Sequence, residues 1–153
     1  INKTITAAVA VYNSSNQYVK QATGNLTFDG QVFKGSVNMG ALPTGSYTAY
    51  IKTNNSLIKR LNPTITGGTG GSITIPQVEL VTGDFDQTNK LDIVDYNKLL
   101  TCYGKNQQGN ILNIFGTSAF ACGLQDLNDD GKIDEKDVNI FLRGFAIREG
   151  DKP

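Results

Sequence analysis

The sequence contains no histidine and no tryptophan. Without an imidazole it lacks the commonest general base, and the triad chemistries that depend on one are excluded. Carboxylates, lysines and tyrosines remain, so catalysis loses its commonest routes without losing all of them. The missing indoles remove the strongest sugar-stacking side chain, although six tyrosines are present. No apolar run approaches the ~18 residues of a transmembrane helix, so no membrane span is expected. The chain opens at Ile1 without a charged and apolar leader, and on that ground reads as a piece of a longer protein. Net charge is absent too, because 14 basic and 14 acidic residues cancel.

That neutrality hides an asymmetry. Before residue 82 two acidic residues, Asp29 and Glu79, stand against six basic ones; from there on, twelve acidic residues stand against eight basic ones. A basic half followed by an acidic half implies two modules, residues 1–81 and 82–153, with different tasks. No basic stripe is present, so nucleic acid is not an expected partner. The cysteines are only two, Cys102 and Cys122. They are either two unrelated buried thiols or a disulfide, which would require an oxidising compartment. The polar stretch from Gly104 to Gly109 between them needs tethering and favours the bridge, which by loop entropy contributes roughly 3 kcal/mol. Sequons at Asn2, Asn13, Asn25 and Asn54 are no more than an Asn- and Thr-rich chain supplies by frequency.

The first half is rich in Thr, Val, Ile, Tyr, Asn and Gly and has no helical stripe. Thr4–Tyr12 alternates apolar with small or polar residues, and Asn13–Asn16 supplies a turn. Further strands are expected at Tyr18–Leu26, Val32–Asn38, Ser46–Lys52, Leu57–Ile65 (broken by Pro63) and Ser72–Val81. Asp29-Gly30 marks a hairpin and Pro43-Thr44-Gly45 another turn. Strands of this number and spacing predict a small immunoglobulin-like β-sandwich. The run Leu42-Pro43-Thr44-Gly45-Ser46-Tyr47 followed by Leu57-Ile58-Lys59-Arg60 resembles the carboxypeptidase-regulatory-like and X-module sandwiches. Leu42–Gly45 is not a sortase signal, since it lies mid-chain with no apolar tail behind it. The aromatic residues here fall at strand positions and read as core or cross-strand pairs.

The second half repeats itself at an offset of 42 residues. Asp84-Phe85-Asp86-Gln87-Thr88-Asn89-Lys90-Leu91-Asp92-Ile93-Val94-Asp95 matches Asp126-Leu127-Asn128-Asp129-Asp130-Gly131-Lys132-Ile133-Asp134-Glu135-Lys136-Asp137. Oxygen-bearing side chains fall at positions 1, 3, 5, 9 and 12 of both, the spacing by which a twelve-residue loop wraps Ca²⁺. The expected ligands are Asp84, Asp86, Thr88, Asp92 and Asp95, and Asp126, Asn128, Asp130, Asp134 and Asp137. At position 7, Lys90 and Lys132 would each offer a backbone carbonyl. Two bound Ca²⁺ ions would neutralise the acidic half. Position 6 needs a positive φ, which Gly131 accepts more readily than Asn89. With Thr88 also replacing an acid at position 5, the second site is expected to be the tighter. Leu91 and Ile133 at position 8 fit a short strand through which such loops pair. A short helix follows each loop, at Asp95–Leu100 and Asp137–Leu142, with one apolar stripe. The position-12 aspartates suit the helix N-termini.

No entering helix precedes either loop; Ile75–Val81 reads as a strand, and Asp replaces Glu at position 12. Paired loop-plus-exiting-helix units (84–104 and 126–146) resemble the dockerin family over Thr82 to about Glu149, a small, mainly α module. With a sandwich upstream, the chain resembles an X-module–dockerin pair. That resemblance implies a secreted or cell-surface, non-catalytic plug that binds a cohesin-type module in assemblies such as cellulosomes, serving polysaccharide degradation or adhesion. The free chain is expected to be a monomer, and any enzyme would lie elsewhere in its parent protein.

Carried over to matching positions, the partner face comprises Ile93, Val94, Asn97, Lys98 and Thr101, with Glu135, Lys136, Asn139, Ile140 and Arg143. Local packing under the neighbouring sandwich is the competing reading for Ile93 and Val94. Because the copies differ at almost every one of these positions, docking in a single orientation is expected. The connection 104–125 is longer than such modules usually have, and its run Ile111-Leu112-Asn113-Ile114-Phe115 suggests an extra helix or turn. The alternative to docking is a calcium-rigidified stalk or adhesin segment.

Overall fold

The computed structural model describes residues 3–68, 70, 74–105 and 122–153. It divides into two compact units whose limits interleave along the chain. The first comprises Ile1–Thr53, Ile58–Leu80 and Asp151–Pro153, and the second Asn54–Leu57 and Val81–Gly150.

The first unit is one antiparallel sheet. Its strands are β1 (Thr4–Asn13), β2 (Tyr18–Phe28), β3 (Phe33–Gly35), β4 (Gly45–Thr53), β5 (Lys59–Arg60) and β6 (Ile65–Gly67). The order is β3-β2-β1-β4-β5, with β6 also pairing β4. Alternation along β1 sends Ala7, Val9 and Val11 to one face, where Val9 lies opposite Ile51 and Val11 opposite Ala49. At the β2–β3 turn the Asp29 carboxylate accepts the amides of Gln31 and Val32, and Gly30 takes a φ of 104°. The closing residues are also bound here. The Asp151 amide donates to the Ile58 carbonyl (2.9 Å), its carboxylate accepts the Arg60 amide (2.7 Å), and the Tyr50 hydroxyl donates to the Lys152 carbonyl (3.2 Å).

The expected sandwich followed by a mainly α domain is not found. The described strands form a single curled sheet, and a second sheet is replaced by cover from irregular chain. Val37, Met39, Leu42, Ile75, Val78 and Leu80 pack on the buried face instead. Residues 74–81, expected as a strand, carry the right alternation but form none. Pro76 lacks the amide a ladder needs, and the apolar side chains are satisfied by lying across the core.

The second unit has just two helices among the described residues, so it is loop-dominated rather than a mainly α domain. These are α1 (Ile93–Cys102) and α2 (Glu135–Gly144). Its core joins Leu57, Phe85, Leu91, Leu99, Ile133 and Phe141 with the Cys102–Cys122 disulfide. Leu91 and Ile133 are equivalent in the repeat, as are Leu99 and Phe141, so each copy supplies a matching half. Gly83 is fixed by this packing, because a Cβ there would fall 2.6 Å from the Phe141 ring. Leu100 and Leu142, the other members of the expected stripe, are exposed. Most of the 104–125 connection, including Ile111–Phe115, lies outside the described residues.

Position 8 of each loop pairs in an unexpected way. The Leu91 amide donates to the Arg148 carbonyl (2.7 Å), and the Ile133 amide to the Lys105 carbonyl (3.0 Å). Each loop is therefore tied to the chain leaving the other copy's helix, which satisfies a buried amide beside a buried apolar side chain.

Candidate metal centre and partner face

The two loops share one hydrogen-bond frame. At position 1, Asp84 accepts the amides of Thr88 (2.9 Å) and Asn89 (3.1 Å), while Asp126 accepts those of Asp130 (3.2 Å) and Gly131 (2.8 Å). At position 12, Asp95 accepts the amides of Phe85 (2.8 Å), Asp86 (3.3 Å) and Asp92 (3.1 Å). Asp137 accepts the equivalent amides of Leu127 (2.7 Å), Asn128 (3.2 Å) and Asp134 (2.9 Å). Asp84, Asp95, Asp126 and Asp137 are all buried. A carboxylate has about four lone-pair directions, so these bonds orient each group and leave capacity for a further partner.

The turns need unusual backbone. Asn89 and Gly131 at position 6 have φ of 61° and 90°, the left-handed region expected there. Gln87 and Asp129 at position 4 are also left-handed, at 61° and 60°. Sequence reasoning missed these, because neither residue type demands that conformation. At position 9, Asp92 and Asp134 are helix N-caps, accepting the amides of Val94 (2.8 Å) and Lys136 (2.9 Å). Each forms a reciprocal capping box with the position-12 aspartate. The caps explain why both helices begin two residues before Asp95 and Asp137.

The loops differ at positions 3 and 5. Asp84, Asp86 and Asp95 bring one oxygen each within 4.8 Å of one another. Burial pushes Asp86 up, but the Thr88 hydroxyl and amide, with Lys98 nearby, outweigh it and hold the carboxyl below its ordinary value. Burial, joined by the Asp86 charge, raises Asp95. Thr88 spends its hydroxyl on Asp86 (2.7 Å). In the second loop position 3 is Asn128, whose amide donates to Asp130 (3.1 Å), and Lys136 grips the same carboxylate at 2.8 Å. That lysine lowers the Asp130 pKa, and Asp130 in turn raises the pKa of Lys136. The side chain of Lys90 turns to Glu149 (3.2 Å). Lys132 is exposed.

The donor set fits a hard cation. It is all oxygen, and three carboxylates within 4.8 Å repel one another unless a positive charge lies among them. In the first loop Asp84, Asp86 and Asp95 would hold the ion, with Thr88, Asp92 and the Lys90 carbonyl in reach of the loop's interior by spacing. Asp126, Asn128, Asp130, Asp134, Asp137 and the Lys132 carbonyl stand at the equivalent places.

On the helices, Ile93 and Val94 are 64% and 45% exposed. Asn97, Thr101, Glu135, Lys136, Asn139 and Arg143 are exposed; Ile140 and Lys98 are partly covered. Lys98 donates to the Phe85 carbonyl at 3.3 Å, which makes it a strut of the first loop. A shallow apolar groove lined by Ile93, Tyr96, Phe141, Leu142 and Phe145 runs between the helices. The exposed residues of the two copies differ in character, with Ile93 and Val94 against Glu135 and Lys136. No helix among the described residues is long and apolar enough to cross a membrane. No family model, curated protein or solved structure matches the chain.

Proposed function

We propose that this chain is a calcium-dependent, non-catalytic docking module that anchors a parent protein to a cohesin-type partner outside the cell. The observation that carries the metal half of this reading is the duplicated frame: two loops 42 residues apart orient buried position-1 and position-12 carboxylates through the same amides. Two Ca²⁺ ions are assigned to it. When bound, calcium supplies the positive charge that offsets converging carboxylates and fixes the loops from which both helices start. The docking half rests on the dockerin resemblance and on exposed apolar side chains, Ile93 and Val94, at the first turn of α1. Absence of histidine from the chain supports a binding role over catalysis. The disulfide supports a secreted or cell-surface setting.

Thermal melts in calcium and in EDTA test the metal half. Chelation is expected to lower the melting temperature of the second unit, and identical melts would contradict the reading. Binding of a cohesin module in calcium, lost on Ile93→Asp with Val94→Asp, tests the docking half. A chain that binds calcium but no cohesin module favours the stalk instead.

A further inference from the structure

The metal loops are supported by a segment that lies far from them in sequence. Asn54–Leu57, between β4 and β5, belongs to the second unit. The Asn55 carbonyl accepts the amides of Gly83 (2.7 Å) and Asp84 (3.1 Å), so it holds the residue before the first loop and the loop's own position 1. Ser56 bridges Thr82, and the Leu57 amide donates to the Val81 carbonyl (2.8 Å), which extends this contact into a short pairing. The Asn55 side chain points the other way, donating its amide to the Leu124 carbonyl at 3.1 Å.

Thr82 and Leu124 are equivalent residues, each two places before the position-1 aspartate of its loop. One short segment therefore contacts the lead-in of both loops, using main chain for the first and an amide side chain for the second. Among the described residues, the second lead-in is also held by the disulfide at Cys122 and by a turn in which the Gln125 amide donates to the Cys122 carbonyl (3.3 Å). Between that anchor and Asp126 stand only three residues, and the Asn55 amide fixes the middle one.

We propose that Asn55 is a positioning residue for the second metal site: its side-chain amide sets the approach of Leu124 and so the placement of the buried Asp126 carboxylate. This rests on the calcium reading above. Because the first loop is held by the Asn55 backbone carbonyl, which any substitution retains, loss of the side chain should act on one site and spare the other. That selectivity separates positioning from a general loss of stability, which would move both.

The test is a calcium titration of the full chain followed by NMR on the Asn89 and Gly131 amides. Each donates to its own loop's position-1 carboxylate and so reports one site. In Asn55→Ala the Gly131 midpoint is expected to move to about fivefold higher calcium, the effect of one net hydrogen bond, with the Asn89 midpoint unchanged. Equal shifts at both, or none at either, would overturn the proposal. In the unsubstituted protein the Asn55 side-chain amide resonances should follow the Gly131 midpoint; if they track neither site the assignment is wrong, whatever the variant does. A parent chain whose Asn89 and Gly131 amides never respond to calcium would defeat the calcium reading itself.

Discussion

Lys136 pairs with Asp130, a candidate ligand of the second loop. It holds Asp130 at 2.8 Å, and any cation recruiting that carboxylate must compete with the ammonium group. Lys136→Ala is therefore expected to tighten calcium binding at the second loop by up to about fivefold, the range of an exposed ion pair, without altering the first. Site-resolved titration measures this, and an unchanged or weakened second site would contradict it. The shared frame of the two loops was legible in the sequence, because the repeat at an offset of 42 residues places the position-1 and position-12 aspartates of both copies in register. Asn55, Lys98 and the Lys136–Asp130 pair were not, since each acts through a tertiary contact that spacing does not encode. The left-handed backbone at Gln87 and Asp129 is imposed by the closed loop and has no residue-type signature.

Among the elements, the helices and the long strands were legible and the short strands only in part. β1, β2 and β4 follow alternation over nine to eleven residues and have hairpin partners. The helix starts were missed by two residues because Asp92 and Asp134 serve as caps as well as candidate ligands. Residues 74–81 show the opposite failure, where alternation reflects an irregular segment laid across a core.

The β2–β3 turn offers an element-level test. Lys34, followed by the Val32 and Gln31 amides, holds Asp29 well below the usual carboxylate range. A folded-state pKa lower than the unfolded one means the stability Asp29 contributes is present above its ordinary value of 3.8 and lost as pH falls. Asp29→Ala is expected to lower the melting temperature at neutral pH, with the gap to the parent narrowing towards about pH 2. Melts across that range check it; a constant gap would contradict the account.

At the scale of the molecule, the charge asymmetry divides the chain at residue 82, whereas the two compact units interleave, with Asn54–Leu57 and Asp151–Pro153 each belonging to the unit distant in sequence. Strand counting could not distinguish two sheets from one sheet covered by irregular chain. The disulfide ties the last residue of α1 to the lead-in of the second loop, closing a separation of 20 residues. Its loss should cost roughly 3 kcal/mol by loop entropy. Cys102→Ser with Cys122→Ser is expected to melt at a clearly lower temperature, and a melt matching the parent's would contradict this. The central claim is that two loops of this chain each hold one calcium ion, and calorimetric titration of calcium into the metal-free chain tests it most directly. Two ions per chain are expected, falling to one in Asp84→Ala and one in Asp126→Ala; a parent chain that takes up no calcium would contradict the account.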